Sequence, residues 1–260
     1  MKIEKLLLTW DEYNQKGHFE IPYAYLIQGD NQVLSYFGAR HSFDPQDPQF
    51  NQIETLWNDM TAHYPNDKMV AVIEGGLMNN EYERDEYITR AGESGLLIYL
   101  AKKADIEIKY LEPSKGLLND LTDRYSKEEI FYHQMAQRAL QWNKLTRKPS
   151  FEEYTVQFLK KLQDETGWND FDFSMNHLKK IHNDIFHVTF DENDRAFFQS
   201  IVTPTNDDTV INKISRDMNV VRDTAIVQGI LDEWQKGKSI FIVYGASHAV
   251  IQERALKALT

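Results

Sequence analysis

Apolar residues in this chain follow two rhythms, one suited to strands and one to helices. "EIPYAYLIQGDNQVLSYFGARH" holds two strand-like runs separated by Gly29-Asp30-Asn31, residues that tolerate turn dihedrals. The second run covers Val33 to Ala39 and ends near His41. In "DPQDPQFNQIETLWNDMTAHY" the spacing lengthens. Asp47 suits a helix cap, Pro48 suits a first turn, and Ile53, Leu56, Trp57 and Met60 share one helical face. "KMVAVIE" is almost wholly apolar from Met69 to Glu74, as expected of a strand covered on both faces. "GESGLLIYLAKKADI" then reads as a helix, with Leu97, Leu100 and Ala104 facing a core, and "IEIKYLEP" as a strand closed by Pro113.

Strand, helix, strand, helix, strand predicts a parallel sheet with right-handed crossovers. Between about 114 and 206 the rhythm is helical. "KEEIFYHQMAQRALQWNKL" and "SFEEYTVQFLKKLQDE" are strong helices, the second with a capping box of Ser150 and Glu153. "WNDFDFSMNHLKKIHNDIFH" reads as a further helix with irregular ends. A long helix then carries Ile211, Ile214, Met218, Val221 and Ala225 on one face and stops at Gly237. "KSIFIVYGASH" is the last core strand, and "AVIQERALKAL" a closing helix. The expectation is a single α/β domain over 1–260. It has a mostly parallel central sheet, an N-terminal hairpin, and a helical insertion at about 114–206 that covers the sheet's C-terminal edge.

Composition narrows the function classes. The chain has 260 residues, 40 acidic and 29 basic, with a net charge of −11. That balance argues against coating nucleic acid or an anionic membrane. Cysteine is absent, which excludes disulfides, thiolate nucleophiles and thiolate-bound zinc. Three leucines before Trp10 and Asp11 are too few for a signal peptide's apolar region, and no run approaches the length of a membrane span. A cytoplasmic protein is expected. The oligomeric state is left open, a homodimer included.

Candidate chemistry lies in a repeated pattern. "GARH" (Gly38 to His41) and "GASH" (Gly245 to His248) each follow an apolar strand. Each glycine allows close approach to the backbone, and each histidine is expected at the C-terminal lip of its strand, where open α/β sheets bind ligands. Glu74 ends a third strand before Gly75-Gly76. His41, Glu74 and His248 together suit a divalent metal such as zinc, manganese, cobalt or iron. Equally, the carboxylate could orient one imidazole as a general base; spacing does not choose. Arg222 sits beside the apolar face of the long helix and needs a partner or a substrate anion. Arg40 and Glu93 are weaker candidates, since Glu93 near a helix start is favoured by the dipole alone.

Other signals carry less. His177, His182 and His187 are spaced by five and do not share a helical face. "IEGG" and "GESG" lack the glycine pattern and lysine of a phosphate loop. "YGASH" has His248 where a nucleophile elbow has glycine, so Ser247 is a poor nucleophile. Trp142 and Trp168 read as packing residues, or as the lining of an apolar pocket.

The order of "GARH", "VIEGG", "VVRDTAIVQGI" and "GASH" resembles the superfamily of TraB/PrgY, Tiki, erythromycin-esterase and ChaN-like proteins. Glu93 in "RAGESG" is similar to a further acidic position. The resemblance implies a parallel α/β core with a helical insertion and one site at the sheet's C-terminal edge. In a Tiki-like protease, His41, Glu74 and His248 would be metal ligands. In an erythromycin-esterase-like enzyme they would activate water without metal, with Arg222 on the polarised group. A ChaN-like member would bind haem, although no tyrosine can be assigned as its ligand. The first expectation is a hydrolase of a small or peptide-like substrate, with water activated by His and Glu and with or without a divalent metal. The alternative is a non-catalytic binding or sensing protein for a metal, haem or small ligand.

Overall fold

The turn residues do what their chemistry predicts. The Gly29 N–H donates to the Gln32 carbonyl at 2.9 Å and closes a hairpin between β1 (Tyr23–Gln28) and β2 (Val33–Ala39). The pair is antiparallel, with Tyr23 opposite Gly38 and Gln28 opposite Val33. The structure is a computed structural model that describes residues 2–76, 78, 80–113, 116–145 and 147–260. β3 (Met69–Ile73), β4 (Glu107–Tyr110) and β5 (Ser239–Gly245) complete a mixed sheet of order β1-β2-β5-β3-β4. Every neighbour pair after the hairpin is parallel. β1 alternates in exposure, while every residue of β2, β3 and β5 is buried, as continuous apolar runs require.

The chain divides into two compact units. The first joins the residues up to Glu112 to Arg222–Thr260 and contains the whole sheet. Its helices include α1 (Trp10–Lys16), which the sequence reading left unassigned, and α2 (Pro48–His63). The Asp47 side chain caps α2 by accepting from the Gln49 N–H, with Pro48 in the first turn. α3 (Arg84–Lys103) starts earlier than "GESG" and is broken at Ala91 and Gly92. Gly92 has φ +57°, and a Cβ there would lie 2.8 Å from the Ser42 carbonyl oxygen. Phe50, Ile53 and Trp57 of α2 and Leu96, Leu97 and Ala101 of α3 join Phe37, Ala71 and Phe241 in one core on one face of the sheet. α10 (Ala246–Leu259) packs against β1, β2 and β5.

The second unit is Pro113–Val221 and is helical. It holds α4 (Leu117–Asp120), α5 (Lys127–Trp142), α6 (Phe151–Thr166), α7 (Met175–Phe186) and α8 (Arg195–Val202). α9 (Val210–Gln235) begins in it, so the boundary falls within that helix at Val221 and not near residue 206. Capping boxes start α5 at Ser126 and Glu129 and α6 at Ser150 and Glu153. Trp142 and Trp168 belong to its aromatic core, donating to the Pro149 carbonyl and to Asn119 Oδ1. No helix among the described residues is long and apolar enough to cross a membrane.

Candidate functional site

Because β2, β5, β3 and β4 run parallel, their C-terminal ends share one edge, where three of them deliver a polar side chain and β5 a glycine. His41 follows β2, Gly245 ends β5, Glu74 follows β3 and Glu112 follows β4. The two Gly-x-x-His segments leave neighbouring strands, with Gly38 opposite Tyr244 and Ala39 opposite Gly245. They are not equivalent. His41 lies in a loop, whereas β5 passes directly into α10, so His248 stands in a helix's first turn and not on a strand lip. Both glycines are needed for close approach, though to different neighbours. A Cβ on Gly38 would lie 2.7 Å from Ala249 Cβ and from the Tyr23 carbonyl oxygen. A Cβ on Gly245 would lie 3.2 Å from His41 Nε2 and 3.5 Å from Glu74 Oε2.

Glu74 is the centre of the arrangement. Its Oε2 accepts from the Gly245 N–H at 2.9 Å. Its Oε1 lies 3.9 Å from His248 Nε2 and 3.6 Å from the Arg222 guanidinium. Each imidazole is backed by its own carboxylate. His41 Nδ1 meets Glu93 Oε1 at 2.5 Å, and His248 Nδ1 meets Asp223 Oδ1 at 2.6 Å. A carboxylate accepts, so Nδ1 carries the hydrogen in both pairs. The break in α3 at Gly92 begins a new helical segment at Glu93, which is 4% exposed. The His41 side chain is 63% exposed and forms the mouth of the site; His248 is buried.

The electrostatics follow from this crowding. Burial pushes the Glu74 carboxyl up, but His248, the Gly245 N–H, His41 and Arg222 together hold it below the ordinary glutamate value. Burial pushes His248 down, while Asp223, by charge and hydrogen bond, and Glu74 outweigh it and Arg222, leaving the imidazole above its usual value. Arg222 donates through Nε to Glu112 at 3.1 Å and approaches the same oxygen with its terminal nitrogen at 2.9 Å. The Tyr244 hydroxyl is buried and has no hydrogen-bond partner among the described residues. Burial, then the charges of Glu112 and Glu74, push its phenol up.

His41, Glu74 and Glu93 each offer a ligand atom, all within 4.8 Å of one another, and the three could hold a metal ion. The metal set expected from sequence was His41, Glu74 and His248; the group whose ligand atoms converge within that distance has Glu93 and not His248. All five expected site residues, His41, Glu74, Glu93, Arg222 and His248, belong to one connected cluster. Sequence reasoning missed Asp223 and Glu112. Asp223 adjoins Arg222 in "VVRD", and Glu112 closes "YLEP" just as Glu74 closes "AVIE", which is the signal that could have found it. Arg40 pairs instead with Asp47 at 2.8 Å. His177 and His182 contact the Asp172 carbonyl and the Tyr132 hydroxyl, and His187 caps α7 with φ +57°. A scan of family models, a search of curated proteins and a search of solved structures return no match to this chain.

Proposed function

We propose that this protein is a hydrolase of a small or peptide-like substrate. Its nucleophile is a water held at His41 and Glu74, and His41, Glu74 and Glu93 would hold a divalent metal beside it. The observation that carries this reading is the convergence of one imidazole and two carboxylates within 4.8 Å, beside a second imidazole–carboxylate pair. One nitrogen and two carboxylate donors suit manganese, iron, cobalt or zinc. Such an ion, when bound, lowers the pKa of a water and polarises a carbonyl. The order of the motifs, similar to that of the TraB/PrgY, Tiki, erythromycin-esterase and ChaN-like superfamily, points the same way.

The chain's own residues do the rest. Glu93 holds His41 through Nδ1, which leaves the Nε2 edge beside Gly245 and Glu74. The Gly245 N–H and Arg222 fix the Glu74 carboxylate where it can take a proton from the attacking water. His248, held at Nδ1 by Asp223, presents Nε2 toward Glu74 and can pass a proton to the leaving group. The guanidinium of Arg222 offsets negative charge developing on the tetrahedral intermediate.

Metal analysis of the purified protein, with calorimetric titration of manganese, cobalt and zinc, tests this. One ion per chain is expected, lost in His41→Ala and Glu74→Gln but kept in His177→Ala. Ester, lactone and dipeptide panels should show turnover that chelation abolishes. No bound ion together with no turnover would overturn the reading; a bound ion without turnover would make the protein a metal-binding one.

A further inference from the structure

Behind the site, two buried polar side chains that the proposed chemistry does not use lead in a row to Asp223 and His248. Tyr36 on β2 donates its hydroxyl to Gln252 Oε1 at 3.0 Å. Gln252 Nε2 donates to Asp223 Oδ1 at 2.6 Å, and that same oxygen receives His248 Nδ1 at 2.6 Å. Tyr36 and Gln252 are 0% exposed, Asp223 1% and His248 7%. His248 and Gln252 stand one turn apart on α10 and so face the same way, toward Asp223 on α9.

The direction of this row is forced. The carboxylate can only accept, so Gln252 must turn its amide nitrogen to Asp223 and its oxygen to Tyr36. The Tyr36 hydroxyl must then donate. Every hydrogen in the row points toward one carboxylate oxygen, and buried polar groups have no water with which to exchange these roles.

We infer that Gln252 and Tyr36 are positioning residues. Acting through Asp223, they fix the rotamer of His248 and the tautomer with hydrogen on Nδ1, and so keep Nε2 turned to Glu74. The inference rests on His248 being a working group of the proposed site, but its readout needs neither metal nor substrate. Gln252 and Tyr36 lie outside the four motif segments, and their partners are visible only in the folded chain.

The test is a long-range proton–nitrogen spectrum of protein labelled with nitrogen-15 histidine, with the His248 signals assigned by their loss in His248→Asn. In the wild type, Nδ1 is expected to carry a slowly exchanging hydrogen. Gln252→Met keeps the volume and removes both hydrogen bonds. It should let the unbraced Asp223 carboxylate turn away from the ring, which speeds exchange of that hydrogen about tenfold to a hundredfold, the factor for one lost hydrogen bond to a charged group, and so brings in the other tautomer. Tyr36→Phe, which removes one hydroxyl, should move both readouts in the same direction by less, and it serves if Gln252→Met does not fold. Restoring glutamine at 252 should restore the wild-type spectrum. A folded Gln252→Met protein, or where it does not fold a folded Tyr36→Phe, with wild-type exchange and tautomer overturns the inference. A wild-type His248 already lacking hydrogen on Nδ1 does so too. Absence of both bound ion and turnover in the separate assays would remove the hydrolase reading and leave this result standing.

Discussion

The two Gly-x-x-His glycines offer a paired experiment in which one methyl group should do two different things. Gly38→Ala places a Cβ 2.7 Å from Ala249 Cβ and from the Tyr23 carbonyl oxygen, and 3.0 Å from Ala246 Cα. All three neighbours are main-chain atoms or a Cβ, so none can rotate away. β1 and α10 must both draw back from β2. Overpacking of this kind costs about 1–3 kcal/mol. In a chain of this size that lowers the melting temperature by about 2–12 °C. Gly245→Ala meets softer neighbours: His41 Nε2 at 3.2 Å, Cε1 at 3.3 Å and Glu74 Oε2 at 3.5 Å. Its backbone, φ −56° and ψ 144°, accepts alanine without strain. The exposed His41 ring can swing outward by a few tenths of an ångström, so stability should hold within about 1 kcal/mol. Metal sites tolerate displacements of only about 0.2 Å, so manganese or zinc affinity should fall by roughly tenfold to a hundredfold. Thermal melts followed by circular dichroism, and calorimetric titration with each ion, separate the two effects. Wild-type metal affinity in a folded Gly245→Ala protein would refute the claim that His41 and Glu74 meet over Gly245. An unchanged melting temperature in Gly38→Ala would refute the close packing of α10 on β2.

Three further outcomes are expected. His133, buried against Ser215 at 2.8 Å, is pushed by burial from 6.5 down to about 4. Its stabilising neutrality is complete above pH 6.5 and is lost as pH falls toward 4, because the unfolded chain binds the proton first. Denaturant titrations should show about 2 kcal/mol less stability at pH 5 than at pH 7.5 from this group, a slope that His133→Gln abolishes. Asp223→Asn removes the charge that raises His248, so the His248 resonances should titrate at lower pH than in the wild type; an unchanged or higher midpoint would count against the pairing. Ser150→Ala removes the side-chain cap of α6 and should cost about 1 kcal/mol in urea unfolding.

Much of the framework was legible because the physics that makes it is local. Turn residues, a capping aspartate before a proline and continuous apolar runs mark β1, β2, α2, β3 and β5 close to where they occur. α8 escaped notice because "RAFFQSIV" is too short to display a helical period. The break in α3 escaped because a glycine with φ +57° is visible only when the Ser42 carbonyl presses on it. Among site residues, His41 and His248 were found through a repeated pattern, and Glu74, Glu93 and Arg222 by position. Asp223 and Glu112 looked like ordinary helix and strand-end acids.

By itself the sequence determined the element types, a largely parallel sheet, and five of the residues that cluster at its C-terminal edge. Only the tertiary structure decided that β5 inserts between β2 and β3, and thereby sets Gly245 between His41 and Glu74. It alone decided which acid backs which imidazole. Periodicity reports which side of an element is buried, because that depends on neighbours a few residues away. Strand order and the acid behind each imidazole depend on contacts between positions far apart in the chain, from 25 for Asp223 and His248 and 52 for His41 and Glu93 to 171 for Glu74 and Gly245, and no local pattern encodes them.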